Sequence, residues 1–125
     1  MTKLPDVVKE AWEDRNGAIV FTTVSPEGMP NAIYASCVKI WDDSHVVVAD
    51  NFFNKTRANI AAGSKGALVL ITNAGKSYQI KGSLEYLTSG EIYDDMQEWV
   101  NCKLPRVAAA VIDVEEVYSG SEKLA

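Results

Sequence analysis

Between Ser77 and Tyr86 the chain alternates without a break: Tyr78, Ile80, Gly82, Leu84 and Tyr86 share one parity, and Ser77, Gln79, Lys81, Ser83 and Glu85 the other. Only an extended strand places every second side chain on one face, so this segment reads as a strand with one dry side and one wet side. Such a strand needs partners, and the flanking sequence supplies them. Gly17 to Val24 is β-branched and apolar and ends at the turn Ser25-Pro26-Glu27-Gly28. Asn31 to Trp41 reads as a second strand, and Asp42-Asp43-Ser44 is short enough to force antiparallel pairing with a third, His45 to Asp50. Gly66 to Asn73 forms an apolar strand ahead of the Ala74-Gly75 turn, and Val107 to Val117 forms the last, with a weakly polar tail after Tyr118. Turns mostly too short for parallel crossovers predict a mainly β chain: six antiparallel strands curled into a small barrel.

Three short helices are expected between these strands. Leu4, Val7, Val8, Ala11 and Trp12 recur at helical spacing and predict a helix from about residue 5 to 15. Asn54 suits the N-cap of a helix running through Ala62 and closed by Gly63. Thr88 and Glu91 have capping-box spacing ahead of the stripe Ile92, Met96, Trp99 and Val100, and Pro105 limits that helix to about Lys103. Trp12 and Trp99 fall in these apolar stripes and read as core, whereas Trp41, at a strand end, fits core or site.

The 125 residues suit a single domain over 1–125, and 47% hydrophobic with 23% charged residues is an ordinary globular balance. No apolar run approaches the roughly 20 residues of a spanning helix, and the N-terminus shows no signal core, so a cytoplasmic location without a membrane partner is expected. A net charge of −5 opposes general affinity for nucleic acid. Cys37 and Cys102 lack paired spacing and read as reduced core thiols. His45 is the single histidine, which leaves a Ser-His-Asp hydrolase without a nucleophile elbow and His/Cys metal centres short of ligands. Asp42-Asp43 and Asp94-Asp95 resemble a solvated turn and a helix face rather than a calcium loop, so no metal site is expected. Gly63-Ser64-Lys65-Gly66 lacks phosphate-loop spacing.

One segment stands apart: Asn51-Phe52-Phe53-Asn54-Lys55-Thr56-Arg57-Ala58-Asn59-Ile60 puts Lys, Thr and Arg in the first turn of a helix. Basic residues at that end oppose the helix dipole. An anion would relieve the conflict, with Lys55 as point charge, Thr56 as hydroxyl donor and open backbone N–H groups completing the cradle. From the segment alone, an N-cap followed by solvent-exposed basic residues is the plainer reading.

Two strands joined by a tight turn, with Cys37-Val38-Lys39-Ile40 in the first and Val46-Val47-Val48-Ala49 in the second, followed by Asn54-Lys55-Thr56-Arg57-Ala58-Asn59-Ile60, resemble the core of the pyridoxamine phosphate oxidase-like flavoproteins. The likeness is especially to the short FMN-binding proteins of sulfate-reducing bacteria, and it extends more loosely to Ala67–Thr72 and to the closing strand Ala108–Val114. It implies a six-stranded split β-barrel, a homodimer with FMN in a groove between subunits, and an electron-transfer or small oxidoreductase role. By the same resemblance Lys55 and Thr56 contact the phosphate, Asn51, Phe52 and Phe53 wall the ribityl chain, and Ile33, Tyr34, Ala35 and Ser36 line the isoalloxazine ring. Ile33 and Ala35 stand where relatives carry hydrogen-bonding side chains, and Asn51-Phe52 where they carry a glycine pair. Nothing between Glu116 and Ala125 matches the basic C-terminal substrate segment of true pyridoxamine phosphate oxidases, so the vitamin B6 reaction is not expected. The alternative is a non-catalytic module of the same fold, holding flavin for storage or taking a deazaflavin or heme. A ligand-free structural dimer is the third.

Overall fold

The computed structural model describes residues 2–125. Its elements run α1 (Asp6–Glu13), β1 (Ile19–Val24), β2 (Pro30–Ala35), β3 (Val38–Asp42), β4 (His45–Asp50), α2 (Lys55–Ala61), β5 (Gly66–Ile71), β6 (Ser77–Leu87), α3 (Glu91–Trp99), β7 (Ala108–Ser119) and β8 (Glu122–Lys123). Every pairing is antiparallel. The strands order β2-β1-β5-β6-β7-β4-β3, with β8 added alongside β7. The mainly β, antiparallel, curled sheet expected from the sequence is therefore what forms.

The expected strand Asn31–Trp41 is two strands. β2 pairs with β1 and β3 pairs with β4, at opposite ends of the strand order. Only Ser36 and Cys37 separate them, so the two edges must approach one another and the sheet curls into a half-closed barrel. Both halves are β-prone, so composition carries no sign of the change of partner. The strand count rises accordingly.

Two apolar clusters lie on either side of this sheet. Inside the curl, Val8 and Trp12 of α1 meet Phe21, Leu68, Ile80, Ile112 and Val117. Outside, Met96 and Val100 pack with Val47, Ala49, Ala109 and Val111. β4 and β7 are therefore buried on both faces from Val46 to Ala49 and from Ala108 to Ile112, which is why those runs are continuously apolar rather than alternating. β6 keeps the predicted alternation, with Tyr78, Ile80 and Gly82 buried and Ser77 exposed. Trp12 is core, while Trp41 and Trp99 pack half-buried on the outer cluster.

Several boundaries differ from expectation. α3 starts from Gly90 at φ 97° with no side-chain cap bond, so the Thr88–Glu91 capping box does not form. It stops at Trp99, which leaves Cys102 exposed in the following turn rather than in the core. Asn54 occupies the N-cap of α2 but its side chain makes no cap bond. The tail after Tyr118 turns at Gly120, and Leu124 N donates to the Val117 carbonyl at 2.8 Å.

One glycine is dictated by contact. The β6–β7 register shifts between Lys81 and Gly82, and a Cβ on Gly82 would stand 1.9 Å from the Asp113 carbonyl oxygen. That oxygen is backbone in a buried strand pair and has little room to yield. Gly82→Ala is expected to lower the unfolding free energy by about 3 kcal/mol in urea titration, at the upper end of overpacking effects. An unchanged midpoint would show that the strands can part there.

Candidate functional site

At the end of β4, Asp50 is fully buried. Its Oδ2 accepts from Arg57 Nε at 2.7 Å and from the Tyr86 hydroxyl at 2.6 Å. Its Oδ1 accepts from Arg57 Nη2 at 2.9 Å and from the Phe53 N–H at 3.0 Å. A bidentate guanidinium pair is the strongest arrangement this residue type offers. Burial alone would push the Asp50 carboxyl up, but the bonds from Arg57, Tyr86 and the Phe53 N–H outweigh it and hold the group below its ordinary value. Tyr86 is pushed up by burial and by its bond to Asp50. The clamp joins β4, the loop after it, α2 and β6.

This settles the role of Arg57, which is paired with Asp50 and does not stand as a free cation at the helix start. Lys55 is exposed and has no ion pair among the described residues. Thr56 is 1% exposed, and its Oγ1 accepts from Asn31 Nδ2 at 3.0 Å. The hydroxyl thus ties α2 to β2 and is presented less openly than the sequence suggests. One turn on, Asn59 Nδ2 donates to Thr23 Oγ1 at 3.0 Å and ties α2 to β1. The first backbone bond of α2 runs from Ala58 N to the Asn54 carbonyl at 3.1 Å, so the N–H groups before it are open to a ligand.

Beside this helix start lies a cleft of about 350 Å³. All of the expected wall residues line it: Ile33, Tyr34, Ala35 and Ser36 from β2 and its exit, and Asn51, Phe52 and Phe53 from the loop after β4. Lys55 and Thr56 are not among its lining residues and follow directly on from the loop. The cleft exists because the switch at Ser36–Cys37 brings the end of β2 against the end of β4. Cys37 O accepts from Ala49 N at 2.9 Å, and both residues line the floor. Phe53 turns inward, its ring 6.0 Å from that of Phe21, whereas Phe52 and Tyr34 are 76% and 81% exposed on the rim.

Sequence reasoning missed Cys37, Ala49 and Leu104 as liners and the supports Asp50, Asn31 and Tyr86. Asp50 was detectable as an acid closing an apolar strand. Leu104 was not, because it reaches the cleft through a loop fixed by Arg106: Arg106 N donates to Asn51 Oδ1 at 3.0 Å, and Gln97 Nε2 donates to the Arg106 carbonyl at 2.9 Å. Arg106 adopts φ 48°, a left-handed conformation unusual for a side chain of its size.

A pyridoxamine 5'-phosphate oxidase family model matches residues 4–119. An uncharacterised protein of Methanocaldococcus jannaschii is 33% identical over 124 residues, covering 95% of this chain and 82% of its own. HupZ of Group A Streptococcus aligns with a TM-score of 0.84 at 23% identity over 98% of both chains. An FMN-binding protein from Syntrophomonas wolfei aligns at 0.73 and 17% identity, over 96% of this chain and 90% of its own. HutZ of Vibrio cholerae, described as a heme storage protein, aligns at 0.68 and 13% identity over 95% of both. At these identities the solved structures show a shared fold.

The clamp makes a stability prediction with a defined sign. A carboxyl held below its ordinary value stabilises the fold above about pH 4, and that contribution is lost as pH falls through the lowered value. Asp50→Asn should lower the unfolding free energy by about 3 kcal/mol near neutral pH, because Arg57, Tyr86 and the Phe53 N–H lose the charged acceptor they share. It should differ much less from the parent in strong acid; a deficit of equal size at both pH values would contradict the assignment. Clamp, cleft and curled sheet sit within the span of the matching family model, and this chain belongs to the pyridoxamine 5'-phosphate oxidase family.

Proposed function

We propose that this chain is an FMN-binding flavoprotein that works in the cytoplasm as a homodimer, in electron transfer or a small oxidoreductase reaction, with residues 1–125 forming one flavin-binding unit. One observation carries the reading: the residues that a flavin would need along its ring and ribityl chain converge on a single cleft beside Lys55. The narrower likeness to the short FMN-binding proteins of sulfate-reducing bacteria belongs to the same reading.

The cleft suits the group. Ala35, Ala49 and Cys37 give a small-residue floor with room for a planar ring, and Ile33 and Phe52 give apolar edges. With no hydrogen-bonding side chain at Ile33 or Ala35, main-chain groups of β2 would read the pyrimidine edge. The phosphate would rest on Lys55, on the open N–H groups of α2 and on the rim of Thr56. A bound flavin supplies the redox chemistry, and the protein's part is to hold, orient and exclude water.

Dimerisation through the outer face of the β2-β1-β5 edge fits the register. Tyr34 and Val69 both pair with Val20, which makes an apolar row across three strands next to the cleft. Ala32 and Ala67 flank Thr22 in the next row. Large exposed apolar groups grouped this way mark interaction surfaces.

The second reading, a storage or binding module, draws on the heme storage protein HutZ. A heme in this cleft would find no imidazole there, since the chain's one histidine, His45, starts β4 while the cleft meets its other end.

Protein as purified should be yellow, and FMN titrated into flavin-free protein should lose its fluorescence saturably. Lys55→Ala should weaken FMN binding about tenfold or more, the worth of one charge-assisted bond. A protein that binds no FMN sinks the reading; tight binding of FMN that no reductant can reduce turns it toward storage. In light scattering, Tyr34→Asp should convert a dimer to a monomer, and an unaffected dimer would place the interface elsewhere.

A further inference from the structure

We propose that His45, Asp113 and Glu85 form a binding site for a divalent transition-metal ion of the zinc class, separate from the flavin cleft. The three residues stand on adjacent strands of the rigid sheet. His45 of β4 pairs directly with Asp113 of β7, and Asp113 pairs with Ser83 of β6, two residues before Glu85. Their ligand atoms all lie within 4.8 Å of one another.

The histidine is oriented for this role. Its Nδ1 lies 2.7 Å from Asp42 Oδ1, a bond that leaves Nε2 as the free ring nitrogen when the imidazole is neutral. Nε2 lies 3.0 Å from Asp113 Oδ1, yet the contact is not aligned as a hydrogen bond, and that buried oxygen has no hydrogen-bond partner. A proton on Nε2 would bridge that gap, and so would a bound metal ion, which would also draw in the Glu85 carboxylate. A carboxylate holding the far nitrogen of a metal-ligating histidine is the usual outer-shell arrangement.

Beside His45, Asp113 and Glu85 stands Asp42, and Lys39 of β3 is drawn to Asp95 of α3 at 2.8 Å. One imidazole nitrogen and two carboxylates suit Zn²⁺, whose ligands sit about 2.1 Å from the ion and hence roughly 3.4 Å apart in a tetrahedron, with the fourth position open to water. The group stands some 17 Å along β4 from Asp50, taking about 3.4 Å per strand residue. Sequence spacing carries no sign of it, because the three residues come from three separate strands.

Tag-free, chelator-treated protein titrated with Zn²⁺ should bind one equivalent per chain and melt at a higher temperature, since an ion bound only by the folded state stabilises it. Co²⁺ in the same protein should give the visible bands of a low-coordinate site. Glu85→Gln alters an exposed side chain and should weaken Zn²⁺ binding at least tenfold in a protein that still folds without metal. Asp42→Asn should weaken it ten- to a hundredfold through the histidine's orientation. Absence of saturable binding, binding that Glu85→Gln leaves intact, or binding abolished by replacing Cys37 and Cys102 with Ser would each overturn the proposal.

Discussion

The carboxylate of Asp50 is the contact on which the site depends. It closes β4 in a fully buried position and takes its hydrogen bonds from three other parts of the chain: the loop at Phe53, α2 at Arg57 and β6 at Tyr86. A buried carboxylate without such partners would be expelled or neutralised. With them it fixes the direction in which the chain leaves β4, and so fixes where Phe52, Phe53 and Lys55 stand. The basic character of the α2 start is thereby divided between two tasks, with Arg57 neutralised inside the fold and Lys55 left at the surface.

The second constraint is topological. Because β2 and β3 are separated only by Ser36 and Cys37 yet belong to opposite edges of the strand order, the sheet has to curl, and the curl places β2 next to the end of β4. The cleft forms at that junction. Its floor comes from strands and its rim from a loop pinned by Asp50 and by Arg106 at Asn51, so the adaptable residues are carried on a rigid base. β4 and β7, buried on both faces, are the central members of that base.

Much of this was legible in the sequence, for stated reasons. The alternation from Ser77 to Tyr86 survives because β6 has one wet face, and the unbroken apolar runs of β4 and β7 reflect burial on both. The pairing of β3 with β4 follows from a turn too short for anything else. The cleft residues were reached through a family resemblance rather than through periodicity. What escaped was non-local. The break at Ser36–Cys37 joins two β-prone segments, the pairing of Arg57 with Asp50 needs the loop to fold back, and His45, Glu85 and Asp113 meet only across strands. Local signals also misled: Thr88 and Glu91 have the spacing of a capping box, but the chain enters α3 through Gly90 at positive φ, and Cys102 sits beyond the helix that was expected to bury it.

The central claim is that the start of α2 is built to hold a phosphate while the cleft holds a flat ring. Comparing the affinities of FMN and riboflavin for flavin-free protein isolates the phosphate, since the two ligands share the ring and the ribityl chain. Two charge-assisted bonds at about 1.5 kcal/mol each predict that FMN binds roughly a hundredfold more tightly. Equal affinity for the two would contradict the account.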